Sequence, residues 1–400
     1  MVKIAILGYG TVGSGVFEVV RKNREVISRK LGDEVQVKYV LDIREFEDDP
    51  VKEVLVHDIN QIITDPEIAI VCETMGGVKP AYDFTRRALE CGKSVCTSNK
   101  ELVEKYGPQL LKLAKEHQCS YLFEASVGGG IPIIRPLRTS LAQEEILSIT
   151  GILNGTTNYI LTKMGTEGLA FEDVLKRAQE KGYAEKNPDA DVLGLDACRK
   201  IAILTSLAYG KNVDFSDITT EGITSITDKD FAYAKAMGAT IKLFAQSVKK
   251  EDQYDAIVAP FLVKPDNPLY AVNGVFNAIL VKCNMGGETM YYGKGAGKLA
   301  TASAVVADVL DCARHIGKHL DVKWEDQKLE ISSIDEVTRR FFVRVSSKDE
   351  DWVKSMFGAQ ELFTDVVPDE IGFITEEMTE AEYKKRAANA KNVLSMIRMD

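Results

Sequence analysis

The 400-residue sequence predicts an α/β protein in three parts: a parallel sheet covered by helices, an α+β middle part and a small C-terminal part. Three observations support this prediction. Up to about residue 134, apolar strand patterns alternate with amphipathic helix patterns, which is typical of a parallel sheet. From about residue 135, alternating strands and more apolar helices follow. After about residue 320, a short β-α-β-α pattern replaces them.

The first element is an apolar strand, VKIAIL, which runs into a glycine-rich turn and then a helix. Gly8, Gly10 and Gly13 form the pattern G-x-G-x-x-G, with Thr11 and Val12 between the last two glycines. The first glycine allows a tight turn, the second lets a pyrophosphate approach the backbone, and the third lets the helix pack on the strand. Because a strand and a helix flank the motif, we predict a Rossmann domain that binds a dinucleotide at the helix N-terminus. A plain structural turn is the alternative.

The second strand, VQVKYVLD, ends at Asp42. An acid at this position could bind the ribose hydroxyls of NAD, whereas Arg44, two residues later, could pair with the 2′-phosphate of NADP. The sequence therefore leaves the choice between NAD and NADP open. An exposed turn without a binding role is the third possibility.

The alternation continues through the strand EIAIVCETMGG, a helix at residues 80–92, the strand in KSVCTSNKELV, a mostly helical segment and the strand SYLFEASVGGG. Ligands of parallel sheets bind beyond the carboxyl ends of the strands. We therefore expect Thr74, Ser98, Lys100 and residues 124–131 to lie near the cofactor. Lys100 is either a functional residue or an ordinary surface lysine.

The middle part contains EEILSITGILNGTTNYILTKM, which predicts a strand, a turn at residues 154–158 and an apolar helix. In the acidic stretch GYAEKNPDADVLGLDACRK that follows, we predict a loop carrying Asp191 and then a helix. On that helix Asp196 and Lys200 are four residues apart and share one face. They form either an exposed ion pair or a lysine held near acids that could bind the ammonium group of a substrate.

Several long motifs occur in order over roughly residues 1–318: GYGTVG, ETMGG, TSNKEL, FEASVGGGIPII, GILNGTTNYILTKM, GYAEKNPDADVLGLDACRKIAIL and GKGAGKLATASAVVADV. In this order they resemble the motifs of the homoserine dehydrogenase family. The resemblance implies interconversion of L-homoserine and L-aspartate 4-semialdehyde with NAD(P), within threonine, methionine and isoleucine biosynthesis. Oxidation of an alcohol needs a base for the hydroxyl proton, and a lysine can serve when its surroundings tune its pKa.

The resemblance also implies roles for individual residues. Lys200 matches the catalytic lysine that handles the substrate proton, and Lys100 matches a second lysine near the nicotinamide and the substrate. The acids that would bind homoserine or orient the lysines are Glu185, Asp191 and Asp196. A structural cation, usually sodium, would be held by Glu124, Val127, Gly129 and Ile131, mostly through carbonyl oxygens. Gly295, in GKGAG, matches a glycine beside the cofactor.

The resemblance further implies three domains. We expect residues 1–134 with 295–320 to form the Rossmann domain, including a helix at residues 300–316. Residues 135–294 are expected to bind the substrate and pair subunits, which implies a homodimer or homotetramer. Residues 321–400 form the third domain.

The third domain reads as a strand at residues 339–345, a short helix, a strand at residues 370–375 and a helix that starts at Thr379. This pattern resembles an abridged ACT regulatory domain. The domain either binds an amino-acid effector such as threonine or only pairs subunits, because a fold alone does not specify a function.

The composition argues against several other classes of protein. The net charge of −10 and the pI near 5.2 argue against nucleic acid as a partner. No apolar run reaches the ~18 residues of a membrane span, and the N-terminus lacks a signal-peptide pattern. The 7 scattered cysteines indicate free thiols in a reducing cytoplasm, and we find no catalytic zinc ligand set.

Two other functions compete with this interpretation. Another NAD(P) oxidoreductase, of the aspartate-semialdehyde or dihydrodipicolinate type, would need a nucleophilic cysteine with a histidine or a histidine-rich motif, and neither occurs in context. A cofactor sensor without catalysis would be expected to lack Lys100 or Lys200, and both are present.

Overall fold

The computed structural model describes residues 1–358, 362–388 and 393–400. The chain forms two compact units. The first contains residues 1–143, 202–214 and 293–329, and the second contains residues 144–201, 215–292 and 330–400. Residues 330–400 fall within the second unit. The separate C-terminal domain implied by the sequence stays a prediction.

The first unit contains a six-stranded parallel sheet, as the alternating pattern predicts. Its strands are β1 (Val2–Leu7), β2 (Val35–Leu41), β3 (Leu55–Val56), β4 (Ile68–Glu73), β5 (Ser94–Thr97) and β6 (Tyr121–Leu122). Their order is β3-β2-β1-β4-β5-β6, so the winding direction reverses between β1 and β4. Open α/β sheets bind their ligands at such a reversal.

The second unit contains a ten-stranded, mostly antiparallel sheet. Its strands are β7 (Ile146–Ile152), β9 (Thr219–Thr220), β10 (Thr240–Lys250), β11 (Gln253–Val263), β12 (Phe276–Cys283), β13 (Gly287–Lys294), β16 (Phe341–Ser346), β17 (Leu362–Phe363), β18 (Glu370–Ile374) and β20 (Val393–Met399). The order is β13-β12-β7-β10-β11-β20-β16-β18-β17, and β9 pairs with β11. Two short pairs join β8 (Lys211–Asn212) to β14 (Glu325–Lys328), and β15 (Thr338–Arg339) to β19 (Met378–Thr379).

The helices of the described residues are, in chain order, α1 (Thr11–Lys22), α2 (Arg24–Leu31), α3 (Ile59–Ile63), α4 (Ala81–Glu90), α5 (Lys100–Glu116), α6 (Gly155–Glu167), α7 (Phe171–Glu180), α8 (Asp189–Val192), α9 (Leu195–Tyr209), α10 (Asp228–Ala236), α11 (Lys298–Arg314), α12 (Glu350–Phe357) and α13 (Glu380–Ala387). Helix α11 belongs to the first unit and corresponds to the predicted helix at residues 300–316. None of these helices combines the length and apolar character that a membrane span requires.

Before residue 200, three local predictions differ from the structure. The predicted turn at residues 154–158 is the start of α6, because the side chain of Asn154 caps that helix. The predicted loop around Asp191 contains the single turn α8. The strand predicted in SYLFEASVGGG is limited to β6, and a 3-10 turn (Glu124–Ser126) follows it.

Apart from the short strand β19, which pairs with β15, the C-terminal segment has the order β16-α12-β17-β18-α13-β20, with the strands arranged as β20-β16-β18-β17. This is the split β-α-β-β-α-β topology. Its core contains apolar residues of both helices and two strands, such as Phe341, Phe357, Phe373 and Tyr383. The helix predicted from Thr379 ends at Ala387. Part of that prediction, residues 389–392, lies outside the described residues, and residues 393–399 form a strand instead.

Candidate active site

The turn between β1 and α1 has the geometry that the glycine motif predicts. Gly8 has φ +89°, and a Cβ on Gly13 would lie 1.9 Å from the carbonyl oxygen of Gly8, so neither position accommodates a side chain. Among the described residues, a Cβ on Gly10 would meet no atom within 4 Å. In the described structure no side chain caps α1, which leaves the N–H groups of its first turn, including Thr11 and Val12, available to a phosphate.

Asp42 and Arg44 form one ion pair at the end of β2. The Arg44 Nε and Nη2 atoms donate to the Asp42 carboxylate at 2.9 Å each, and Asp42 also accepts the Tyr9 N–H at 2.7 Å. The Arg44 guanidinium holds the pKa of the Asp42 carboxyl well below its usual range. The Asp42 side chain is buried, whereas that of Arg44 remains 56% exposed. The charge exposed at the end of β2 is therefore the positive charge of Arg44.

Two neighbouring residues at the end of β4, Glu73 and Thr74, form hydrogen bonds with the ends of the adjacent strands β5 and β1. The Thr74 hydroxyl lies 3.0 Å and 2.9 Å from the carbonyl oxygens of Leu7 and Gly8, which secures the glycine turn. The fully buried Glu73 carboxylate accepts the Met75 N–H at 2.7 Å and the Thr97 hydroxyl at 2.5 Å. Burial raises the pKa of the Glu73 carboxyl to about 7.

The end of β5 leads directly into α5. Asn99 caps that helix by accepting the Leu102 N–H at 3.1 Å, and Lys100 is the first helical residue. The Ser98 N–H donates to the carbonyl oxygen of Glu73 at 3.3 Å. Thr74, Ser98 and Lys100 thus all follow the carboxyl ends of β4 and β5, as the sequence predicts for a parallel sheet.

The loop from Glu124 to Ile131 folds back tightly on itself. The Glu124 carboxylate accepts the backbone N–H groups of residues 133, 134 and 135 at 2.6, 2.9 and 2.6 Å. A Cβ on Gly129 would lie 2.3 Å from the carbonyl oxygen of Gly295, so these two predicted residues are neighbours. Since the Glu124 carboxylate already accepts three hydrogen bonds, a cation here would depend mainly on the carbonyl oxygens of Val127, Gly129 and Ile131. Such oxygen ligands suit a hard cation.

In the second unit, Asn154 joins the predicted acids to Lys200. Its side-chain oxygen caps α6, and its Nδ2 atom donates to Asp191 at 2.7 Å and to Asp196 at 2.9 Å. The Lys200 Nζ atom donates to the Asp196 carboxylate at 2.7 Å and to the Leu153 carbonyl oxygen at 2.8 Å. Asp196 and Lys200 are both buried, so they are not an exposed surface pair.

The remaining predicted acids have different surroundings. Burial and the nearby Asp196 carboxylate raise the pKa of the Asp191 carboxyl, although the hydrogen bond from Asn154 opposes this. Glu185 is exposed, and its carbonyl oxygen accepts a hydrogen bond from Gln179 at 3.1 Å. The structure therefore brings Asp191, Asp196 and Lys200 together and leaves Glu185 outside their hydrogen-bond network.

Sequence reasoning missed two residues of these clusters. The role of Asn154 could have been predicted, because an asparagine directly before an apolar helical pattern is a common N-cap. Glu73 had a weaker signal, namely one acid at the end of an otherwise apolar strand. Its burial and its contact with Thr97 depend on the pairing of β4 with β5.

Comparisons with known proteins identify the family. Residues 8–124 match the family model described as the NAD binding domain of homoserine dehydrogenase, and residues 132–310 match the model of homoserine dehydrogenase itself. A homoserine dehydrogenase of Synechocystis is 40% identical, over 96% of this chain and 94% of the relative. The crystal structure of a homoserine dehydrogenase from Thiobacillus denitrificans has a TM-score of 0.90 and 33% identity, over 100% of this chain and 98% of the other. A hyperthermophilic archaeal homoserine dehydrogenase mutant in complex with NADPH has a TM-score of 0.66 and 30% identity, over 78% and 97% of the two chains.

Proposed function

The chain belongs to the homoserine dehydrogenase family, and on that premise we propose that Lys200 moves the substrate's hydroxyl proton in its reaction. The enzyme is an NAD(P)-dependent oxidoreductase that acts on homoserine. One observation carries the proposal about Lys200: its Nζ atom is fixed by Asp196 and Leu153 beside the partly buried carboxyl of Asp191. Its place in threonine, methionine and isoleucine biosynthesis, and its location in the cytoplasm, stay predictions.

Lys200 has the donors that this role needs. An ammonium group has three N–H donors, and Asp196 and Leu153 use two of them. The third can point at the substrate oxygen. In the oxidation, the neutral amine accepts the hydroxyl proton of homoserine as the carbonyl forms. In the reduction, the ammonium returns that proton to the aldehyde oxygen.

The acids around Lys200 suit an amino-acid substrate. Homoserine carries an ammonium group, which a carboxylate binds by charge-assisted hydrogen bonds. We assign this role to Asp191 together with the exposed Glu185, and we assign the orientation of Lys200 to Asp196. Asn154 keeps Asp191 and Asp196 in place, because it donates to both.

The first unit has the features that NAD(P) requires. The open space at Gly10 and the free N–H groups at Thr11 and Val12 would hold the pyrophosphate, while Gly8 and Gly13 set the turn. When bound, the nicotinamide takes up or delivers the hydride of the reaction. We expect Thr74, Ser98, Lys100 and Gly295 to contact this cofactor.

We propose that the enzyme prefers NADP. The Asp42 carboxylate is already bonded to Arg44 and to the Tyr9 N–H, whereas the Arg44 guanidinium is exposed and can pair with a 2′-phosphate. The archaeal relative in complex with NADPH supports this choice. Arg44→Ala should weaken NADP binding by roughly 10- to 100-fold and change NAD binding little, because a charge-assisted hydrogen bond contributes about 1.5–3 kcal/mol. Equal affinities of the unaltered enzyme for NAD and NADP would contradict the preference.

A sodium ion on the loop of Glu124, Val127, Gly129 and Ile131 is a further part of the proposal. Its support is the set of carbonyl oxygens on a tightly folded loop. A cation that binds only the folded state raises the melting temperature as its concentration increases. We expect this effect with sodium chloride but not with an equal ionic strength of N-methylglucamine chloride. The same melting temperature in both salts would contradict the proposed sodium site.

We also propose that the C-terminal segment is an ACT-like domain that binds threonine. The β-α-β-β-α-β order and the strand order β20-β16-β18-β17 support this fold. Calorimetric titration should give a binding heat with threonine, and threonine should inhibit turnover. If neither effect occurs, the segment has only a structural role, such as pairing subunits.

The proposed assembly is a homodimer or homotetramer. The edge strand β13 exposes Met290 and Tyr292, and the preceding turn exposes Met285. Exposed apolar edge strands are usually covered by a partner. Light scattering should give a mass of at least twice the 44.2 kDa of one chain, and Tyr292→Lys should lower it. A monomeric unaltered protein would contradict the assembly.

The direct test of the proposed function is the absorbance of the reduced nicotinamide. L-homoserine with NADP at mildly alkaline pH should produce reduced cofactor. The analogue 4-hydroxybutyrate, which keeps the alcohol but lacks the ammonium group, should react far more slowly. If both alcohols reacted equally, the acids around Lys200 would not bind the substrate's ammonium group.

A further inference from the structure

Arg398 is an arginine of the C-terminal strand β20 that is buried between two carboxylates. Its side chain is 1% exposed. Nη1 and Nη2 donate to the Glu221 carboxylate at 2.8 and 2.7 Å, and Nε and Nη2 donate to the Glu380 carboxylate at 3.0 and 2.8 Å. The strand itself is held from both sides, since Arg398 lies in register with Phe261 of β11 and Phe341 of β16. The Arg398 guanidinium therefore holds the Glu221 carboxylate in one position.

Glu221 begins a segment that lies directly on the C-terminal end of α8. Its N–H donates to the Val258 carbonyl oxygen at 2.7 Å. A Cβ on the next residue, Gly222, would lie 2.2 Å from the Val192 carbonyl oxygen and 2.6 Å from the Leu193 Cα atom, so only glycine allows this approach. The Ile223 N–H then donates to the Val192 carbonyl oxygen at 2.8 Å. A displacement of Glu221 would therefore displace Val192 as well.

Val192 is the residue after Asp191. The Gly194 N–H donates to the Asp191 carbonyl oxygen at 2.9 Å, which closes this turn. The Asp191 carboxylate accepts from Asn154, which also holds Asp196 beside Lys200. A continuous set of contacts therefore runs from the C-terminal strand to the acid proposed to bind the substrate.

We propose that Arg398 is a positioning residue for homoserine binding, and that it acts through Glu221 and Gly222 on the position of Asp191. This inference rests on the proposed role of Asp191. Without the guanidinium, Glu221 would lose this partner, the buried Glu380 carboxylate would keep only the ion pair with Lys384 at 3.4 Å, and the two carboxylates would repel each other. Glu221 would move away, and the segment on Val192 would move with it. The cofactor-binding residues are not part of these contacts, so the effect should be confined to the amino-acid substrate.

The test compares Arg398→Met with a matched control, Arg344→Met. Arg344 is also buried in a strand of the C-terminal segment and pairs with the carboxylates of Asp230 and Glu370, neither of which takes part in the contacts described above. Both substitutions should lower the melting temperature. Only Arg398→Met should raise KM for homoserine, by roughly 2- to 30-fold, with KM for NADP unchanged. Arg398→Lys should restore part of the loss.

Glu221→Gln provides a second test in case Arg398→Met does not fold, because Glu221 is partly exposed. It should also raise KM for homoserine, and its effect should not add to that of Arg398→Met. An equal rise of KM in Arg344→Met, or an unchanged KM in Glu221→Gln, would overturn the inference. Asp191→Asn separates this failure from failure of the proposed function. If Asp191→Asn raises KM and Arg398→Met does not, only the inference is wrong. If Asp191→Asn leaves KM unchanged, the role of Asp191 is wrong and the inference fails with it.

Discussion

Two lysines of the second unit lie at the same spacing from an acidic partner but differ in how deeply they are buried. Lys163 pairs with Glu167 and Lys200 pairs with Asp196, both four residues apart on a helix. The side chains of the first pair are 34% and 38% exposed, and those of the second are 11% and 8% exposed. An exposed pair contributes little to stability because water screens it, whereas breaking a buried pair costs about 3–5 kcal/mol. The spacing of four residues is the same in both pairs and does not reveal this difference, because burial depends on residues distant in the chain.

The Asn154 side chain both caps α6 and donates to two aspartates, and one substitution can separate these two functions. Asn154→Ser keeps an oxygen that can cap α6 but removes the amide that donates to Asp191 and Asp196. We expect KM for homoserine to rise by about tenfold or more, because a hydrogen bond to a charged group contributes about 1.5–3 kcal/mol. The dissociation constant of NADP, measured by fluorescence titration, should not change.

Asp58→Ser is the control for this substitution, since Asp58 caps α3 in the first unit. It should change neither constant. If KM for homoserine is the same in Asn154→Ser and in the unaltered enzyme, Asn154 serves only as a helix cap.

At the level of elements, local patterns predicted the N-terminal half well. The alternation of strands and helices requires only neighbouring residues, and β1, β2, β4, α4 and α5 lie close to their predicted positions. The last strand, β20, was missed, because it is stabilised by pairing with β11 and β16. Helix α8 was predicted as a loop, because a single turn is too short to show a period.

The glycine turn gives a prediction that separates folding from binding. Gly13→Ala should lower the melting temperature by several degrees, because its Cβ would overlap the Gly8 carbonyl oxygen. Gly10→Ala should leave the melting temperature nearly unchanged, since no atom of the part of the chain that the structure describes lies within 4 Å of the new Cβ. It should nevertheless weaken NADP binding, because that space is where we place the pyrophosphate. Unchanged NADP binding in Gly10→Ala would show that the phosphates bind elsewhere.

At the level of the whole molecule, the order of the strands could not be predicted from the sequence. The C-terminal strands continue the sheet of the second unit through the contact of β20 with β11. A sequence pattern identifies a strand but not its neighbours across more than a hundred residues. The boundaries of the compact units, at residues 144, 202, 215, 293 and 330, follow from these distant contacts.

The buried carboxyl of Glu73 should make the stability of the protein depend on pH. Its pKa is about 7 in the folded protein, against an ordinary value of 4.5. The folded state therefore binds more protons between these values, so the free energy of unfolding falls as pH rises from 4.5 to 7 and then levels off. The contribution is about 3 kcal/mol, since one pKa unit corresponds to about 1.36 kcal/mol.

Urea unfolding at pH 5 and pH 8 measures this contribution when Glu73→Gln is compared with the unaltered protein. Other titrating groups cancel in the difference between the two proteins. Relative to the unaltered protein, Glu73→Gln should be more stable at pH 8 than at pH 5. A difference that is the same at both pH values would mean that Glu73 does not titrate in this range.

The measurement that tests the central claim most directly is the turnover of Lys200→Ala with homoserine and NADP. The account predicts that kcat falls by about 10²-fold or more, the usual contribution of a general acid–base group, with the dissociation constant of NADP unchanged. Lys163→Ala, which removes the exposed pair of the same spacing, should retain full turnover. If Lys200→Ala kept its kcat, Lys200 would not be the group that moves the proton.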